Sequence, residues 1–209
     1  MIKRLLYKES TLLLIVCFLM QIISATVIGG DVYASSEGIR VEFYNGDVGD
    51  SVGALCTNFK VINTGSSTVA LSDIKLRYYF TDDGVSPISV FIDYAENSGS
   101  GINSCITYTI KDTNSSDANK YIEFGFNTAA GSLAPDTYAL VRARVYQSGY
   151  NQVFTQTNDY SFCKKNINFA EWDKVTGYLN GVLFSGKEPV ELISTPSPVT
   201  PTPQMSPIP

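Results

Sequence analysis

The chain has 209 residues, 44% of them hydrophobic and 17% charged, with 13 Tyr, 11 Phe and one Trp. A net charge of −5 makes nucleic acid and anionic membrane surfaces poor partners, and the absence of histidine removes the usual general base and the commonest transition-metal ligand. With both ends set aside, the length fits one domain able to bury a core without disulfides.

The N-terminus reads as an export signal. Lys3, Arg4 and Lys8 precede an apolar run from Thr11 to Ile28, broken only by Gln21, Ser24 and Thr26, and Val32-Tyr33-Ala34 offers a small-x-small exit. Positive flank, apolar run and small residues together define a secretory signal over residues 1–34 and an extracellular protein. The run is also long enough to stay uncleaved as an anchor, which would leave the chain on the cell surface. Cys17 follows Val16, where a lipoprotein signal carries Gly or Ala, and reads as apolar filler. Beyond the signal remain 12 basic and 18 acidic residues, with no basic patch. Cys56, Cys105 and Cys163 are an odd number, so they close no disulfide framework; their spacing singles out no pair, and no C-x-x-C implies zinc.

From Glu37 to Leu192 the pattern has period two. Ile39–Phe43, Phe59–Val61, Ile74–Tyr78, Tyr121–Phe124 and Leu140–Val145 alternate apolar with polar residues. Asn45-Gly46, Asn63-Thr64-Gly65, Asp83-Gly84 and Asn180-Gly181 punctuate them as turns. Short strands at this spacing predict an all-β sandwich over residues 35–192, and no amphipathic helix of more than about three turns competes. From Ile193 the chain carries six of its nine prolines among Ser and Thr. Proline removes backbone donors and favours extended geometry, so residues 193–209 read as a semi-rigid linker or tail, able to hold the module away from a catalytic or scaffold domain.

The segment Phe169–Pro189 (FAEWDKVTGYLNGVLFSGKEP) resembles the closing segment of family 3 carbohydrate-binding modules. Asn63-Thr64-Gly65 with Leu71–Thr81 resembles the family's early strands, and Thr155–Phe162 resembles a turn beside its calcium. The three blocks stand in the family's order and cover the chain from about residue 37 to 190. The resemblance implies a nine-stranded jelly-roll β-sandwich with one structural calcium, of the kind found in cellulosomal scaffolds, cellulases and cellulose sensors. It also implies non-catalytic binding of crystalline cellulose or a related insoluble polysaccharide.

Carried over residue by residue, the family's calcium set falls on Thr81, Asp83, Thr155, Asn158 and Asp159. The threonines would offer backbone carbonyls and the others side-chain oxygens, the hard donors that calcium takes. Taken alone, these residues read as Asx-turns capping loops, and only the resemblance favours calcium. The family's binding strip of aromatic and polar groups falls on Asp93, Tyr94 and Arg144, with Arg144 pairing Asp93. The last ring is Tyr150, with Tyr146 and Phe154 as alternatives. Ser98–Ser104 lacks the middle tyrosine of the pattern. Trp172 reads as core.

No pair of carboxylates can be picked by spacing for glycoside hydrolysis, and no Gly-x-Ser-x-Gly or phosphate loop occurs, so no enzyme is expected. Two rivals to simple anchoring are a cell-surface polysaccharide sensor and a helper module that packs on a catalytic domain.

Overall fold

The alternating segments become strands that pair into two sheets. The structure, a computed structural model, describes residues 38–192; the expected export signal and the proline-rich tail lie outside the described residues. In chain order the strands are β1 (Ile39–Asn45), β2 (Ser51–Val52), β3 (Ala54–Asn63), β4 (Val69–Ala70), β5 (Ile74–Phe80), β6 (Ile88–Asn97) and β7 (Ser100–Gly101). They continue as β8 (Ile106–Asp112), β9 (Lys120–Phe126), β10 (Ser132–Leu133), β11 (Tyr138–Gln147), β12 (Phe154–Thr155), β13 (Val175–Leu179) and β14 (Val182–Ser185). Nine of these have four residues or more, matching the expected strand number; the other five are two-residue pieces.

A front sheet has the order β1-β3-β11-β6-β7 and a back sheet the order β14-β13-β5-β9-β8, antiparallel throughout. The ribbons β2–β12 and β4–β10 complete the pairing. The sheets pack face to face because each alternates buried with partly exposed residues. Phe43 and Phe59 of the front sheet, 4.9 Å apart, meet Tyr78 and Phe124 of the back sheet, with ring centroids 5.6 and 5.9 Å apart. Phe80 and Phe154 stack edge-on beside them, all fully buried. Phe154, an alternative for the last strip ring, is therefore core: it sits on β12 facing inward and is excluded from any ligand face. Trp172 packs against the core but is only partly buried, and its indole N–H donates to the Ser161 carbonyl at 2.9 Å.

Turn chemistry sets the register. Asn180 and Gly181 adopt φ of 51° and 79°, the two positive values that a two-residue hairpin between Leu179 and Val182 requires. Asp83 and Gly84 are likewise left-handed, with φ of 50° and 76°. Cys56, Cys105 and Cys163 are all free thiols.

Candidate functional site

The expected strip residues come from β6, β11 and the loop after β11. Along β11 the residues 138, 140, 142, 144 and 146 point away from the core. Arg144 pairs with Phe91 on β6 and Arg142 pairs with Tyr94; between these pairs the register slips, leaving Asp93 as an extra residue. This bulge presents Asp93 and Tyr94 together on the outer face instead of on opposite faces. Asp93 then meets Arg144 in a two-pronged pair: Nη2 to Oδ1 at 2.7 Å, and Nε to the two carboxylate oxygens at 2.9 and 3.0 Å. Asp93 raises the Arg144 guanidinium further above its ordinary value, so the charge is permanent.

The third strip component, Tyr150, sits in the loop after β11 and is 60% exposed. Its φ of 53° is strained for a bulky residue, and such strain persists where the surroundings enforce it. Here the enforcement comes from Gln147. Its side-chain oxygen accepts from the Gly149 and Asn151 N–H groups, and its backbone carbonyl accepts from Tyr150 N–H at 2.9 Å. The Tyr150 ring lies on the Tyr146 ring, centroids 4.7 Å apart and nearly parallel. Tyr146 is thus the support under Tyr150.

Two exposed rings on this face were not among the candidates. Phe91, 51% exposed, lies 5.3 Å from the Arg144 guanidinium carbon. Tyr138, 37% exposed, opens β11. The signal for Phe91 is the apolar run Val90-Phe91-Ile92 before Asp93; for Tyr138 it is the extension of the Arg144, Arg142 alternation by two more steps.

The five candidate calcium residues also converge. Thr81 follows β5, Asp83 lies in the turn beyond it, and Thr155, Asn158 and Asp159 surround a short 3₁₀ turn. Asp159 Oδ1 accepts from Thr81 N–H at 2.8 Å and Oδ2 from the Tyr78 hydroxyl at 3.3 Å. Asp83 accepts from Thr155 N–H at 2.6 Å and from the Asn158 amide at 2.8 Å. Burial, with the charge of Asp83 adding, pushes the Asp159 carboxyl up to about 8. Among the described residues neither carboxylate enters an ion pair. Two carboxylates close together, one buried and without a cation, fit a divalent metal chemically. Asn158 can turn its amide oxygen inward, since its nitrogen and oxygen are interchangeable in shape.

Residues 40–186 match the profile described as the cellulose binding domain. The chain belongs to the cellulose binding domain family. Its members are non-catalytic binding modules, and the sandwich is the family's jelly roll. The chain is 39% identical over 176 residues to cellulosomal-scaffolding protein B of Acetivibrio thermocellus, covering 80% of this chain and 22% of that protein. It is 31% identical to anti-sigma-I factor RsgI4 of the same species, covering 73% of this chain and 29% of that one. Among solved structures, the CBM3a-L domain with flanking linkers from the cipA scaffoldin of Clostridium thermocellum superposes with a TM-score of 0.69 at 38% identity, covering 77% of this chain and 98% of that domain. The chain thus spans less than a third of either curated relative.

The opposite sheet of this cellulose binding domain carries a cavity of about 270 Å³ lined by Arg77, Tyr79, Tyr121 and Glu188 among others. Arg77 lies between the Tyr121 and Tyr178 rings, 4.6 and 4.2 Å from their centroids, and pairs with Glu123 and Glu188. Tyr178 donates to Glu188, and burial plus that carboxylate push its phenol far up. The groups satisfy one another and brace β13 and the segment after β14 against β5.

Proposed function

We propose that the outer face of the front sheet binds crystalline cellulose or a closely related insoluble polysaccharide, without catalysis. The binding groups are Asp93, Tyr94, Arg144 and Tyr150, with Phe91 as an additional ring. The observation that carries this reading is the Asp93–Arg144 pair set among exposed rings on one sheet face. Glucose rings present apolar faces and hydroxyl edges; aromatic faces match the former, and charged or amide groups reach the latter. Phe91 supplies a ring beside Arg144 where Ser98–Ser104 offers no tyrosine.

Thr81, Asp83, Thr155, Asn158 and Asp159 would hold a structural calcium ion. The ion would supply charge compensation and oxygen coordination that tie two loops together. Residues 1–34 would export the chain and residues 193–209 would act as a spacer towards a catalytic or scaffold domain. Display on the cell surface as a polysaccharide sensor is the second reading, favoured by the similarity to anti-sigma-I factor RsgI4 and by the apolar run Thr11 to Ile28. Mass spectrometry separates the two: a mature terminus near Ser35 in the medium supports export, and an intact terminus in membranes supports display.

Adsorption to microcrystalline cellulose tests the main reading. The protein should be depleted from solution by the solid, and Tyr94→Ala should weaken adsorption about tenfold to a hundredfold while the melting temperature stays nearly unchanged. Failure of the unmodified protein to adsorb would leave the helper-module reading in its place.

A further inference from the structure

The exposed aromatic surface does not stop at Tyr94. Tyr138 stands on the same face of β11 as Tyr146, eight residues before it and so about 27 Å away along the strand. On the neighbouring strand Tyr94 pairs with Arg142 and Glu96 with Leu140, which places Tyr94, Glu96 and Tyr138 side by side on the outer surface. Glu96 is only 7% exposed, although it shares the outward face of its strand with Tyr94. Its Oε2 accepts from the Tyr94 hydroxyl at 2.5 Å, and its carboxylate raises the pKa of both the Tyr94 and the Tyr138 phenols. On the other side, Lys60 Nζ lies 5.0 Å from the Tyr138 ring centroid and 3.5 Å from Glu42. The Tyr94 hydroxyl is held by Glu96, and Tyr94 and Tyr138 are 42% and 37% exposed.

We infer that Tyr138 is a further polysaccharide-contacting ring that lengthens the strip beyond Tyr94, and that Glu96 is a positioning residue that holds both tyrosines in their binding orientation. The inference rests on the proposed polysaccharide-binding reading of this face. A polymer offers the same sugar surface repeatedly, so a further ring on the same sheet face can meet another unit of the same ligand.

The test compares the full protein with Tyr94→Ala, Tyr138→Ala, Tyr138→Leu and Glu96→Gln variants, each by adsorption to microcrystalline cellulose, thermal melting, and NMR titration of ring-labelled tyrosine. Tyr138→Ala and Tyr138→Leu should each weaken adsorption about tenfold; the leucine keeps apolar cover over the sheet, so its loss reads the ring and not the fold. Glu96→Gln should weaken adsorption and also move two tyrosine ionisations to lower pH, because a neutral amide no longer opposes a phenolate. If Tyr94→Ala loses adsorption while both Tyr138 variants match the unmodified protein, the added ring is refuted and the original strip stands. Unchanged tyrosine titration in Glu96→Gln refutes the positioning role. If the unmodified protein does not adsorb, the underlying reading fails and takes this inference with it.

Discussion

Asp159, buried beside Asp83, would tie stability to pH and to the proposed metal. In the folded, metal-free chain burial pushes its carboxyl up to about 8, whereas an unfolded chain ionises it at about 3.9. Between these values the folded state keeps the proton and the unfolded state does not. Stability contributed by this group is therefore present at low pH and is lost as pH rises towards 8. Calcium requires the carboxylate and competes with that proton. The stabilisation gained on adding calcium should thus be larger at about pH 8 than at about pH 5, as read by thermal melts with calcium and with chelator. Asp159→Asn should abolish the calcium increment and flatten the metal-free pH dependence in this window. An equal increment at both pH values in the unmodified protein would count against the site.

At the scale of elements, the strands with clean alternation were legible, and β6, which carries Asp93 and Tyr94, was not. Ile39–Phe43, Ile74–Tyr78 and Leu140–Val145 lie within β1, β5 and β11. β6 broke the pattern because Asp93 is an extra residue; after it, inward and outward positions exchange, and Phe91 and Tyr94 both face out across an odd spacing. Tyr146 and Phe154 could not be told apart by spacing because the loop between β11 and β12 decides which ring is exposed. The hairpin β13–β14 was readable from Asn180-Gly181, but the importance of the glycine beyond it was not. Gly186 has φ of 79°, and a Cβ there would lie 1.7 Å from the Val175 carbonyl oxygen. Gly181 has the same φ with nothing within 4 Å. Gly186→Ala should therefore cost about 3 kcal/mol or more in urea unfolding, whereas Gly181→Ala should cost only about 1 kcal/mol of backbone strain. Equal costs at the two positions would show that the closing segment relaxes freely.

At the scale of the whole molecule, the proposed calcium residues lie in turns more than 70 positions apart in sequence, which is why local reading gave only Asx-turns and the family resemblance was needed to join them. Hydrogen bonds link these turns to the core and to the loop that carries Tyr150. Tyr78, fully buried, accepts from the Asn45 amide of the front sheet at 3.3 Å and donates to Asp159. Asn45 in turn accepts from Cys163 N–H at 2.9 Å. The loop carrying Tyr150 runs directly into Thr155, and Gln152 in that loop accepts from Ser86 N–H at 2.9 Å, beyond the Asp83 turn. A metal joining Asp83 to Asp159 would therefore also restrain the backbone that holds Tyr150 over Tyr146. Removing calcium should weaken cellulose adsorption several-fold in addition to lowering the melting temperature, because the Tyr150 ring then has to be ordered by the ligand. Tyr150→Ala lacks the ring that the metal orders, so chelation should change its adsorption much less. Measured as a cycle over calcium and the Tyr150 side chain, the two effects should fall short of additivity. Equal losses on chelation in the unmodified protein and in Tyr150→Ala would show that the metal staples the loops without reaching the strip.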